Sequence, residues 1–180
     1  VILLFDLFKS KVKIMDKGMF DAREIAAYIK NRYESTGEDK KISPIKLQKA
    51  LYFCFAYWGA FVMRGKNNPN MSEVNTSDYE ENLFKNRIEA WVYGPVVPDV
   101  YHEDDILKYY TPNLFNNNNN VREYIDEILN DVLDVSDFRL VEISHCDNCW
   151  KKNFSSFSFL HNKEIPKKQI INEYEKKHAC

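Results

Sequence analysis

Apolar residues in this chain recur mostly at helical spacing, and one stretch dominates the pattern. From Ala50 to Met63 there is no charged residue. Leu51, Phe53, Phe55, Trp58, Phe61 and Val62 spread apolar surface round most of a helix, which must therefore be buried. Ser43 is a good N-cap, because its hydroxyl accepts a backbone N–H that the helix start leaves unpaired, and Pro44 suits the first helical position. A helix is predicted from Ser43 to Met63, ending near Arg64 and Gly65. Lys46, Gln48 and Lys49 lie on its polar side, and Gly59 marks a close helix contact. A membrane span needs roughly 20 apolar residues, so this shorter, Tyr-containing run reads as a core helix.

Weaker patterns flank it. Asp21 and Glu24 have capping-box spacing, and Ile25, Tyr28, Ile29 and Tyr33 then repeat helically until Gly37. Ile88 to Tyr93 alternates at period two, which predicts a short strand stopped by Gly94-Pro95. A helix starting at Pro98 or Asp99 would carry Val100, Tyr101, Ile106, Leu107 and Tyr110. The run Asn116 to Asn120 has neither helix propensity nor apolar surface and reads as a loop. Val121 to Leu133 returns to helical spacing, and Ser136 caps a shorter helix with Phe138, Leu140, Val141 and Ile143; both should pack on the central helix. A polar turn precedes Trp150, Phe154 to Leu160 alternates like a strand, and Pro166 opens a last helix with Ile170, Ile171 and Tyr174. The predicted fold is mainly α (α+β): a compact helical domain around a buried central helix, with a small short-stranded β element. Residues 1–18 are set apart as an N-terminal extension, for which an upstream start is one explanation, and 19–180 as a single domain.

Composition narrows the function. With 180 residues, 44% of them hydrophobic, the chain can bury one real core. Its 25 basic and 27 acidic residues are interspersed, for a net charge of -2, so no global field favours nucleic acid or an anionic membrane. The lysine pairs, such as Lys40-Lys41 and Lys151-Lys152, read as solubilising charge. Four cysteines without repeated spacing, and no basic leader region, point to reduced thiols in the cytoplasm.

Chemical motifs are sparse. His145, Cys146 and Cys149 could supply three zinc ligands, but a second half-site is missing, and a histidine at a helix C-terminus has its own electrostatic reason. The five glycines form no phosphate cradle. His102, Glu103, Asp104 and Asp105 are consecutive, so on a helix they point in different directions. The expectation is a protein without catalytic activity, cofactor or metal.

Three blocks carry a resemblance: Lys46-Leu47-Gln48-Lys49-Ala50-Leu51-Tyr52; Glu89-Ala90-Trp91-Val92-Tyr93-Gly94-Pro95-Val96-Val97-Pro98-Asp99-Val100-Tyr101; and Leu140 to Trp150 with His145. In order and spacing over about residues 20–177 they resemble the Panacea domain, the SocA-like antitoxin family. The resemblance implies a mainly helical bacterial or phage antitoxin, encoded on a prophage or other mobile element, that neutralises a cognate protein toxin by direct contact. Delivery of the toxin to a protease or chaperone is a variant of that role. Ala50 and Cys149 depart from the family's usual Leu and Pro. The other class of function to be weighed is a DNA-binding regulator of the chain's own operon or of a mobile element. Leu47, Leu51, Trp91, Gly94, Pro95, His145 and Trp150 read as fold determinants. Lys46, Lys49 and Tyr52, along one side of the central helix, are the candidate partner contacts.

Overall fold

The computed structural model describes residues 18–68, 75–156 and 162–177. The proposed extension up to Lys17 lies outside them, as do residues 157–160 of the expected second strand. The described chain opens at Gly18. A Cβ there would lie 2.2 Å from the backbone of Phe84 and Lys85, and Phe20 pairs in parallel with Phe84 beside it.

Seven α-helices and one 3-10 helix are present among the described residues. Helix α1 (Ala22–Glu34) starts at the predicted capping box, with both reciprocal hydrogen bonds formed. Helix α2 (Pro44–Asn67) is the predicted central helix, and Ser43 Oγ accepts from the Lys46 amide at 3.0 Å. It runs past the expected stop, because Gly65 is a packing residue: a Cβ there would lie 2.2 Å from Thr76 Oγ1. Gly59 does mark a close contact, since a Cβ would meet Ile171 at 2.5 Å.

The β element is a hairpin plus a short third strand. β1 (Glu89–Trp91) pairs antiparallel with β2 (Gly94–Val96), and β3 (Lys163–Glu164) joins the other edge, in the order β2-β1-β3. Gly94-Pro95 therefore does not end the β structure but begins its second strand. Proline is tolerated there because β2 is an edge strand, where a missing N–H breaks no ladder. The predicted helix after Pro98 splits into α3 (Pro98–Tyr101) and the 3-10 helix Ile106–Tyr109.

Helix α4 (Asn119–Leu133) begins inside the asparagine run, earlier than expected. Helix α5 (Asp137–His145) has Ser136 as its cap, and α6 (Asn148–Asn153) carries Trp150 and takes up part of the polar turn expected before it. Helix α7 (Lys167–Lys177) follows Pro166. Helices α1, α4, α5 and α7 all pack against α2, whose Leu51, Phe55, Trp58 and Val62 are fully buried. No helix among the described residues is long and apolar enough to cross a membrane.

Candidate functional site

The first turns of α2 point their polar side chains inward. Lys46 Nζ donates to the carbonyls of Leu133, at 3.1 Å, and Val135, and lies 3.6 Å from Asp137. It thus places a cation on the carbonyls that α4 leaves unpaired at its C-terminus, where the helix dipole favours positive charge. Gln48 clamps Val97 from both sides, accepting its N–H at 2.8 Å and donating to its carbonyl at 3.4 Å. Lys49 is 1% exposed and donates to the Pro95 carbonyl at 2.8 Å. Burial disfavours its charged form and pushes its pKa down to about 7. Leu47 and Leu51 are buried on the same helix.

One turn on, Tyr52 enters a second buried network. Its hydroxyl donates to Asp147 Oδ2 at 2.6 Å, Tyr174 donates to the same oxygen at 2.8 Å, and Lys177 reaches Oδ1. Asp147 is fully buried, so these donors replace the water that its carboxylate loses. Burial, with the neighbouring Tyr174 and Asp147, pushes the Tyr52 hydroxyl well above its ordinary pKa. Glu173, from α7, accepts the backbone N–H groups of Asn148 and Cys149, both at 2.7 Å, so α6 is capped by a side chain distant in sequence. Burial works against ionised Glu173, but these N–H bonds and Lys177 outweigh it and lower its pKa. The Cys149 thiol sits 3.5 Å from the Tyr52 hydroxyl, and burial raises its pKa to about 12, so it is no nucleophile at neutral pH.

The third block closes the arrangement. His145 stacks on Trp150 with centroids 4.0 Å apart, and Trp150 stacks on Phe154 at 4.7 Å. Trp150 Nε1 donates to the Trp91 carbonyl at 3.0 Å, and Trp91 Nε1 donates to Glu89 at 2.9 Å. Burial and the nearby Lys49 lower the His145 pKa, partly offset by a hydrogen bond with the Val92 backbone. Gly94 has φ +95°, a region that favours glycine, and a Cβ there would lie 2.5 Å from Ser144 Oγ and 2.9 Å from Lys49 Nζ. Pro95, buried beside it, supplies the carbonyl that Lys49 needs.

The structure therefore brings the three sequence blocks together and corrects one expectation about them. Lys46, Lys49 and Tyr52 do not form an exposed edge: at 8%, 1% and 0% exposure they face inward and are occupied by internal acceptors. The helical-wheel argument failed because it assigned the polar side of α2 to solvent, whereas the hairpin and the α5–α6 turn cover that side. Among the described residues no three His, Cys, Asp or Glu side chains form a group that could hold a metal ion. Cys146 is exposed and Cys149 buried, and both are free thiols.

Several large apolar side chains, by contrast, are offered to solvent. Val92 and Tyr93 at the hairpin tip are 61% and 60% exposed, Tyr101 is 51% exposed, and Phe138 is 82% exposed. Tyr101 packs edge-on against Trp91 at 4.8 Å, so part of this aromatic surface is held in place. Between α2, α4 and α5 runs an open groove of about 420 Å³, with Phe53 and Tyr57 on one wall and Leu140 and Ile143 on another. Sequence reasoning missed both features. Val92 shares the parity of buried Ala90, so alternation places it inside; it is exposed because β1 ends at Trp91 and Val92 falls in the turn, and the groove had no local signal either.

Comparison with known families bears on this surface. The model of the family described as antitoxin SocA-like, Panacea domain, matches residues 72–151. No curated protein and no solved structure gives a match. The matched segment holds the hairpin, α3 to α5 and Trp150, whereas the Lys46–Tyr52 block lies outside it. Over residues 72–151, then, this chain matches the Panacea-domain, SocA-like antitoxin family.

Proposed function

We propose that this protein is an antitoxin that neutralises a cognate protein toxin in the cytoplasm by direct binding, and that it is not an enzyme. The observation that carries the reading is the family match over residues 72–151. The same segment supports it physically, since it exposes Val92, Tyr93, Tyr101 and Phe138. Large aromatic side chains of this kind supply much of the binding energy at protein interfaces. The buried polar network serves to hold the hairpin and α6 against α2, and so fixes the backbone from which those side chains project.

The test is co-expression of the full chain with each small reading frame flanking its gene, scored by growth and followed by co-purification. Growth restored by one partner, with a complex that survives purification, is expected. If no flanking product is toxic and rescued, the antitoxin reading fails. The half-life of the rescued toxin separates occlusion from delivery to a protease or chaperone: stable toxin means occlusion.

A further inference from the structure

The groove between α2, α4 and α5 has a floor and walls of apolar side chains, with Tyr124, Ile128 and Val132 of α4 lying along it. Its acidic lip is formed by Glu127 and Asp131, also on α4, and both are exposed. These two carboxylates stand four residues apart, one turn of helix or about 6 Å along the axis. Like charges at that spacing repel, and neither has an ion-pair partner among the described residues. Two cations act on the tyrosines of the groove, Arg64 on Tyr124 and Lys177 on Tyr57, and Lys177 is tied to Asp147 and Glu173. The groove therefore combines apolar surface with two exposed carboxylates that form no ion pair among the described residues.

The wall chemistry constrains what can lie there. The surrounding elements are helices whose backbone groups are already paired, so the groove presents no free strand edge. An extended peptide would turn one row of its N–H and C=O groups onto apolar side chains and leave them unpaired, at a cost of roughly 1–3 kcal/mol per buried group. A helix pairs its own backbone and presents only side chains.

We infer that this groove is the docking site for an amphipathic helix of a partner protein, one that inserts aliphatic side chains between α4 and α5 and sets lysine or arginine residues one turn apart against Glu127 and Asp131. This names a site and a partner chemistry, and it stands or falls separately from the identity of the partner as a toxin.

The probe is a synthetic peptide of about 16 residues, long enough to be partly helical, with leucines at i, i+3, i+4 and i+7 and two lysines four residues apart. Fluorescence anisotropy follows its binding to the full chain. Saturable binding is expected, weakened about tenfold or more by Glu127→Lys with Asp131→Lys, and recovered when that variant meets a peptide carrying glutamates in place of its lysines. Circular dichroism checks that the variant, altered only at exposed positions, keeps its helices. Absence of saturable binding overturns the inference. So does equal binding of a peptide with scrambled leucine spacing, or indifference to both charge reversals. Capture of a small apolar dye in the groove without peptide binding would likewise overturn it and assign the groove to a small ligand. Peptide binding alongside failed growth rescue would leave the groove assignment standing and remove only the antitoxin reading.

Discussion

The buried network around Lys49 and Asp147 and the open groove between α2, α4 and α5 invert the usual relation between residue type and place. Lysines, tyrosines and a carboxylate are sealed inside, where each finds a fixed partner. Valine and tyrosine lie exposed at the hairpin tip and phenylalanine at Phe138, while the groove opens apolar walls to solvent. The polar cluster, which looks more like a site, is occupied by its own acceptors and is closed to a partner. The apolar surface, which looks like ordinary packing, is the part left unpartnered. A buried polar group specifies geometry because misplacing it leaves it unpaired, whereas an exposed apolar group costs little until something covers it.

The largest expected effect comes from breaking the closed side. Asp147→Ala removes the acceptor of Tyr52, Tyr174 and Lys177; exposed Lys177 returns to water, but both tyrosine hydroxyls stay buried without that acceptor, so stability should fall by about 1–3 kcal/mol for each. Urea unfolding of the variant measures this. A loss under about 1 kcal/mol would place the network no higher than a surface ion pair.

Lys49→Met sharpens the contrast through pH. Folded Lys49 titrates near 7, while in the unfolded chain it keeps the ordinary value near ~10.4. Between those values only the unfolded state holds the proton, so Lys49 lowers stability as pH falls from about 10 to about 7, and below that its penalty is constant. Methionine removes the penalty and also loses one hydrogen bond. The variant should exceed the parent by about 1–3 kcal/mol at neutral pH, and the gain should vanish or reverse near pH 10. A variant-minus-parent difference that grows with pH would contradict the assignment of Lys49 as a buried, reluctantly charged group.

The smallest effect on stability is expected on the open side. Tyr93→Ser with Phe138→Ser alters two exposed side chains and should stay within about 0.5 kcal/mol of the parent at each site, while growth rescue in the co-expression assay drops. Thermal unfolding beside the growth assay separates the two. A fall in stability of more than about 1 kcal/mol at either site would make that residue part of the fold rather than of the interface.

Much of the helical framework was legible before the structure, because it rests on local chemistry. The Ser43-Pro44 start, the Asp21–Glu24 box, the Ser136 cap and Pro166 act within one turn of themselves, so their residue types alone announce them. The second strand of the hairpin was not legible, since Gly94-Pro95 has the composition of a turn and becomes a strand only by pairing with Ala90 and Trp91. Helix α6 was hidden for a similar reason: Glu173, 25 residues beyond Asn148 in the next helix, satisfies its first N–H groups. The motif residues were visible as types, but Lys49 and Tyr52 were placed on the wrong side of the surface.

By itself the sequence determined which segments become helices, that α2 must be buried, and the likeness to an antitoxin family. Those follow from periodicity, capping and motif order, which are properties of neighbours along the chain. Only the tertiary structure decided which polar side chains are enclosed, that three distant blocks meet at Pro95, Asp147 and Trp150, and where apolar surface remains uncovered. Enclosure depends on what residues 46 to 177 bring together through space, and a helix has no local means of recording whether water or another element will lie against its polar face.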